Sequence, residues 1–133
     1  SQANTPPDAN TYAKTPEPLT SSEIKRLYWE IPQELTYNEA VVNYLKTAGK
    51  AMKFAIQSDL LNISEMPYSP KMIVNVVIKK DGSYDNVVTT VSSGSKQIDA
   101  IVLQSVKAAL KYVKAPTSEF KNDSYNFSLI INF

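Results

Sequence analysis

The chain has 133 residues, 43% of them hydrophobic and 20% charged, which is enough for one buried core and too short for two large domains. Its net charge is +1, with acidic and basic residues interspersed, so no strong field favours nucleic acid or an anionic membrane. Because histidine and cysteine are absent, disulfides, thiolate zinc sites and histidine-based catalysis are excluded. We therefore expect no metal, no cofactor and no enzymatic activity.

Residues 1–20 have the composition of a linker. They contain four of the eight prolines among Asn, Thr, Ser and Ala, and almost nothing that a core could bury. This composition predicts a Pro-rich, disordered spacer followed by one folded domain over 21–133. The start SQANTPPDAN has no initiator methionine and no signal-peptide core, so we expect a fragment of a longer protein.

Two helices are predicted before any strand. The stretch SSEIKRLYWEIP predicts a short helix from Ser22 that Pro32 ends, with Trp29 as an anchor to its own domain. A longer helix follows, because TYNEA opens with a capping box from Thr36 to Glu39 and apolar residues then recur at helical spacing. Gly49 weakens that helix, which is best explained by the close approach of another backbone, although solvent exposure would also explain it.

The second half of the chain alternates between strand and helix patterns. KMIVNVVIKK and YDNVVTTV flank the turn at Gly82, which predicts a β-hairpin. Ser95 and Asp99 suit the start of a helix that Pro116 ends, and Ser124–Phe133 is a strictly alternating strand. A right-handed crossover through that helix predicts an α+β fold with a three-stranded antiparallel sheet, in the order 2-1-3, packed against helices.

Residues that could carry catalysis have ordinary structural roles in this pattern. Asp81 lies in a turn, Asp85 on a strand surface and Asp99 at a helix start. The serines around Gly94 have no base beside them, because the chain has no histidine. RNA binding is also disfavoured, since the predicted central strand MIVNVVI has no aromatic residue on which a base could stack.

The predicted sheet leaves the C-terminal strand at an edge. Natural edge strands usually carry charges or proline, but YNFSLIINF has neither, so a partner chain, another element of this chain or a second copy should pair with it. A partner segment would bind here by β-strand addition. The predicted partner-binding residues are Ser124, Tyr125, Asn126, Phe127, Ser128, Leu129, Ile130, Ile131 and Asn132.

The order of these elements resembles the C-terminal domain of TonB and TolA proteins. The matching features are Asp81-Gly82, Ser92-Ser93-Gly94, Ile98-Asp99, Pro116 and a final strand over Tyr125–Phe133. The resemblance covers about residues 71–133, and the preceding long helix is also in character.

The resemblance implies a function. Such domains lie in the periplasm of Gram-negative bacteria, after a Pro-rich spacer that an inner-membrane helix anchors beside a proton-driven motor complex. TonB-like members bind the box segments of outer-membrane transporters beside the last strand, and they transmit energy for the uptake of ligands such as siderophores. No catalysis, metal or nucleic acid is implied.

Two departures leave the member of the family open. TonB domains usually have a Tyr-Pro pair and a short helix before the first strand, whereas this chain has Tyr68-Ser69-Pro70 and a much longer helix, as in TolA-like members. The full last strand and the lack of cysteine favour TonB. The prediction is therefore a TonB-like transducer, with a TolA-like domain of the Tol-Pal envelope-integrity system or a self-associating periplasmic assembly module, such as a homodimer, as alternatives.

Overall fold

The computed structural model describes residues 17–133. Within these residues the chain forms one antiparallel sheet in the order β1-β4-β2-β3, with two α-helices packed against it. The elements are β1 (Arg26–Glu30), α1 (Glu39–Leu60), β2 (Lys71–Lys79), β3 (Tyr84–Val91), α2 (Lys96–Tyr112) and β4 (Ser124–Asn132). The predicted α+β class is confirmed, and the three predicted strands have the predicted order; the strand count is four instead of three.

The prediction of a helix from Ser22 to Pro32 is wrong. The segment forms β1, which pairs antiparallel with β4 so that Arg26 lies opposite Asn132 and Glu30 opposite Ser128. A short helix is costly to nucleate, whereas aromatic residues favour strands when a neighbouring strand supplies pairing and a core. The open backbone of β4 therefore decides the conformation of β1.

The predicted hairpin is confirmed. β2 and β3 pair antiparallel, and Gly82 in the turn has a φ of 89°, a conformation that favours glycine. Asp81 closes the same turn by accepting hydrogen bonds from the backbone N–H and the hydroxyl of Ser83. Those bonds stabilise the carboxylate and hold the pKa of Asp81 below its usual value.

The first helix begins with a different cap from the one predicted. The side chain of Asn38 accepts a hydrogen bond from the backbone N–H of Val41 at 3.2 Å, and the helix starts at Glu39. The capping box from Thr36 to Glu39 is therefore wrong, because Thr36 ends a short 3-10 turn and its hydroxyl donates to the carbonyl of Pro32. An Asn cap satisfies the same free N–H groups.

The second helix begins as predicted. Ser95 caps it by accepting from the backbone N–H of Ile98 at 3.1 Å. Asp99 reaches back to accept hydrogen bonds from the hydroxyls of Ser92 and Ser93 and from the backbone N–H of Ser93. The carboxylate thus joins the end of β3 to the first turn of α2, where the helix dipole also favours a negative charge.

Most of the predicted linker lies outside the described residues, which begin at residue 17. The backbone N–H of Leu19 donates to the carbonyl of Pro67 at 2.7 Å, and the Leu19 side chain packs against the core. Contacts with the domain are therefore already present at Leu19, just before the predicted boundary at residue 21.

The burial of Tyr44 makes the stability of the fold depend on pH in the alkaline range. Its side chain is buried, its hydroxyl has no hydrogen-bond partner among residues 17–133, and burial raises its pKa from 10.0 to about 12. Below pH 10 the Tyr44 hydroxyl is protonated in both the folded and the unfolded protein. Above pH 10 the unfolded protein loses this proton first. We expect the free energy of unfolding to fall by up to about 2 kcal/mol as the pH rises through the folded pKa.

Denaturant unfolding between pH 9 and 12 measures this loss against two variants. Tyr44→Phe should remove that part of the pH dependence and cost little at pH 7, because the lost hydroxyl leaves no partner unpaired. Tyr37→Phe is the matched control, since Tyr37 is 95% exposed. Equal pH dependence in the Tyr44→Phe variant and the parent would contradict the expectation.

Candidate partner-binding edge

The predicted binding residues form β4, but most of that strand is an interior strand of the sheet. Ser128–Asn132 pairs with β1 on one side and β2 on the other, so the prediction of an open edge is wrong for this half. Ser124–Phe127 pairs with β2 and lies beyond the end of β1. Half of this strand without charged side chains is thus covered by another element of the same chain, which is one of the three outcomes expected for it.

The side chains of β4 follow the predicted alternation on the face toward the helices. Its apolar members there are buried, with Phe127 fully enclosed; they are Tyr125, Phe127, Leu129 and Ile131. Ile130 on the opposite face is also buried, at 1% exposure, and lies between Tyr28 of β1 and Ile73 of β2 in the strand register. These side chains hold β4 in the core and are not available to a partner.

The outer edge of the sheet on this side is β1. Its side chains alternate, with Leu27 and Trp29 directed at α1 and Tyr28 on the opposite face, where Arg26 lies 4.1 Å above its ring. Only β4 pairs with β1 among the described strands. An edge strand has backbone donors and acceptors on its free side, so β1 offers the ladder that β4 was expected to offer.

Trp29 fixes β1 to the helix layer, as the sequence analysis predicted for this residue. Its indole N–H donates to the backbone carbonyl of Leu45 at 2.8 Å, and its ring meets Phe127 edge-on, with centroids 6.0 Å apart. Trp29 is half-buried, and an indole that packs into a domain usually finds such a partner for its N–H. The edge strand is therefore held from both sides, by its pairing with β4 and by a side chain that reaches α1.

Gly49 makes this contact possible. A Cβ atom at this position would lie 3.3 Å from Nε1 of Trp29 and 3.5 Å from Cδ2 of Leu27. A close approach to Gly49 was expected from another backbone, but these atoms belong to side chains. The weak helix position is thus explained by the packing of β1 against α1.

An apolar groove lies between β1 and α1. It encloses about 400 Å³, and β1 contributes Leu27, Tyr28 and Trp29 to its walls. The other lining residues are Ile31, Val42, Leu45, Lys46, Gly49, Lys50 and Lys53. A strand added to β1 would lie beside this groove, with alternate side chains directed into it.

The opposite edge of the sheet is β3. From Asn86 to Val91 this strand has no charge, and Val88 and Val91 are each 39% exposed. The sheet therefore has a second edge, where a second copy of the chain could pair.

The carboxylates considered for chemistry do not come together. Asp81 and Asp99 have the hydrogen-bond partners given above, and Asp85 is exposed on β3. Within residues 17–133 no group of three or more His, Cys, Asp or Glu side chains could hold a metal ion. The features that distinguish this surface are backbone edges and a groove.

Neither β1 nor the row of lysines beside it was predicted from the sequence. The signals were present, because Leu27 and Trp29 flank Tyr28 with period 2, and Lys46, Lys50 and Lys53 have the i, i+4, i+7 spacing of one helix face. Five residues are too short for their periodicity to separate strand from helix, so only the pairing with β4 decides between them.

Substitution of Gly49 should test the contact between β1 and α1. Gly49→Leu places a branched side chain where Trp29 and Leu27 lie, and we expect it to lower the free energy of unfolding by about 1–3 kcal/mol. Because Trp29 is the single tryptophan, its fluorescence reports the displacement directly. Ala108→Leu on the exposed face of α2 is the control, and the expectation fails if both variants leave the emission of Trp29 unchanged.

Comparison with known proteins gives one distant likeness. No protein-family model matches the chain, and no match is found among curated proteins. Among solved structures it is similar to the NMR solution structure of the C-terminal domain of Helicobacter pylori TonB, with a TM-score of 0.44 and 18% identity over 78% of this chain and 94% of that chain. In the described residues no helix is long and apolar enough to cross a membrane.

Proposed function

We propose that this chain is the periplasmic C-terminal domain of a TonB-like energy transducer. It binds the box segment of an outer-membrane transporter as an added strand and transmits energy from the proton-motive force for ligand uptake. A segment before this domain connects it to an inner-membrane anchor and a proton-driven motor complex. The observation that supports the proposal best is the outer edge of β1, with which no strand of residues 17–133 pairs, beside the apolar groove between β1 and α1.

Strand addition fits both the shape of the groove and the proposed transmission of force. Backbone hydrogen bonds supply affinity without regard to sequence, and alternate side chains of the added segment supply selectivity by entering the groove. Each bond contributes only about 0.5–1.5 kcal/mol net, but several bonds loaded together resist a pull along the strand. A transducer needs this combination, because its contact must carry force and still dissociate.

The proposed site differs from the one expected from the sequence. The predicted residues Ser124–Asn132 are the family's docking strand by resemblance, but β1 pairs with their second half. The outer edge of β1 replaces that half as the docking strand. Ser124–Phe127 pairs with β2 on one side and lies beyond the end of β1 on the other, so a partner could add to β4 on that second side. Binding there remains a separate prediction.

An amide NMR titration tests the proposal. The labelled chain is titrated with box peptides from outer-membrane transporters, and we expect shifts in β1 and in the facing residues of α1. Shifts with soluble periplasmic partners of the Tol system, but none with box peptides, would replace the proposal by a TolA-like function. Concentration-dependent dimerisation in sedimentation, with no response to either set of ligands, would identify a self-associating module.

A further inference from the structure

We propose that the groove between β1 and α1 selects a partner segment whose short apolar centre is flanked by acidic residues. This inference rests on the proposed function, because it assigns the chemistry of the strand that adds to β1. It depends on three features of the groove, namely its floor, its charged rim and the spacing of the charges.

The floor of the groove is apolar. Leu27 and Ile31 contribute from the β1 side, and Val42 and Leu45 contribute from α1. Gly49 adds no side chain, so Trp29 and Leu27 pack directly against α1 and form part of this floor. Apolar side chains of a partner strand gain about 25 cal/mol for each Å² that they bury against such a surface.

The rim of the groove carries positive charge. Lys46, Lys50 and Lys53 line it and are exposed, and within residues 17–133 no Asp or Glu lines the groove. The spacing of i, i+4 and i+7 places the three ammonium groups along one face of α1. The net charge of the whole chain is only +1, so this row is a local field and not part of a general excess.

The spacing of the lysines sets the pattern of the partner. The rise of an α-helix is about 1.5 Å per residue, so Lys46 and Lys53 are separated by about 10 Å along the axis. An extended strand covers that distance in about three residues, at about 3.3 Å each. Because side chains of a strand alternate between its two faces, acidic residues on both sides of three apolar ones point to the same face, about 13 Å apart. The long lysine side chains at the two ends of the row can reach both carboxylates while the apolar centre covers the floor.

The test uses two synthetic peptides and the full 133-residue chain. One peptide, acetylated and amidated, has three residues of valine and isoleucine between two glutamates, and the other has glutamine in place of each glutamate. We expect the glutamate peptide to bind about tenfold more tightly at low salt, since each exposed ion pair contributes little alone and three lysines act together. The preference should decline as ionic strength rises.

Two matched triple variants separate a local effect from a change in net charge. The first triple variant should abolish the preference for the glutamate peptide over the glutamine peptide. It combines Lys46→Gln, Lys50→Gln and Lys53→Gln. The control replaces three other exposed lysines with glutamine. These have the same spacing and lie on or just after α2: Lys107, Lys111 and Lys114. It removes the same charge and should keep the preference.

The outcomes distinguish this inference from the proposed function. If both peptides bind the parent chain with equal affinity at β1, strand addition stands and the acidic specificity is wrong. If neither peptide nor any box peptide binds, both fail. An equal loss of preference in the two triple variants would assign the effect to net charge, and dimerisation through the groove without peptide would assign the groove to a second copy; either result overturns the inference.

Discussion

Replacing Phe127 with alanine should lower the free energy of unfolding by about 3–5 kcal/mol, the cost typical of deleting a buried aromatic ring. Phe127 has no exposed surface and lies against both Trp29 and Tyr125, at centroid distances of 6.0 and 6.2 Å. Its loss leaves a cavity beside the ring of Trp29, where β4 meets β1. Denaturant unfolding followed by circular dichroism measures the change.

The adjacent residue provides the control for Phe127. Asn126 is exposed on the opposite face of β4, so Asn126→Ala should change stability by no more than about 0.5 kcal/mol. In the Phe127→Ala variant the emission of Trp29 should also change, because an aromatic neighbour of the indole is lost. A variant that unfolds at the same denaturant concentration as the parent would contradict the described core.

Ser128→Pro should lower the free energy of unfolding about as much as Phe127→Ala does. The cause is the loss of a backbone hydrogen bond instead of the loss of core packing. Ser128 lies opposite Glu30 on one side and Asn75 on the other, inside the sheet. Proline has no N–H to donate, so one ladder bond is lost and its acceptor stays unpaired, at a cost of about 2–4 kcal/mol. Thermal unfolding of the purified variant measures the loss.

Ser128→Ala separates the backbone effect from the side chain. Alanine keeps the backbone N–H, so this variant should remain within about 1 kcal/mol of the parent. If the proline and alanine variants were equally stable, the backbone N–H of Ser128 would not contribute to the ladder. The interior position of β4 would then be in doubt.

The hairpin and the two elements after it, α2 and β4, could be predicted because their sequence signals are local. Gly82 marks the turn, Ser95 caps the helix, and the alternation of β4 extends over nine residues, long enough to separate strand from helix. Each of these features follows from residues close together in the chain, so no distant contact had to be known.

The edge of the sheet could not be predicted, because it depends on a contact between distant parts of the chain. Arg26 and Asn132 are neighbours only after folding, and β1 is a strand only because β4 pairs with it. The groove depends in turn on where β1 lies over Gly49. The sequence signalled that β4 needs a partner, and the fold shows that this chain provides one for half of it.

The most direct test of binding at β1 is to locate a bound box peptide on the sheet. A box peptide with a nitroxide spin label at one end is bound to the isotope-labelled chain, and paramagnetic broadening of the amide signals is measured. We expect broadening in β1 and near Gly49, with the signals of Ser128–Asn132 keeping the shifts of the free protein. Broadening centred on Ser128–Asn132, with loss of the signals of the paired Arg26–Glu30, would show that the segment displaces β1 and would contradict the account.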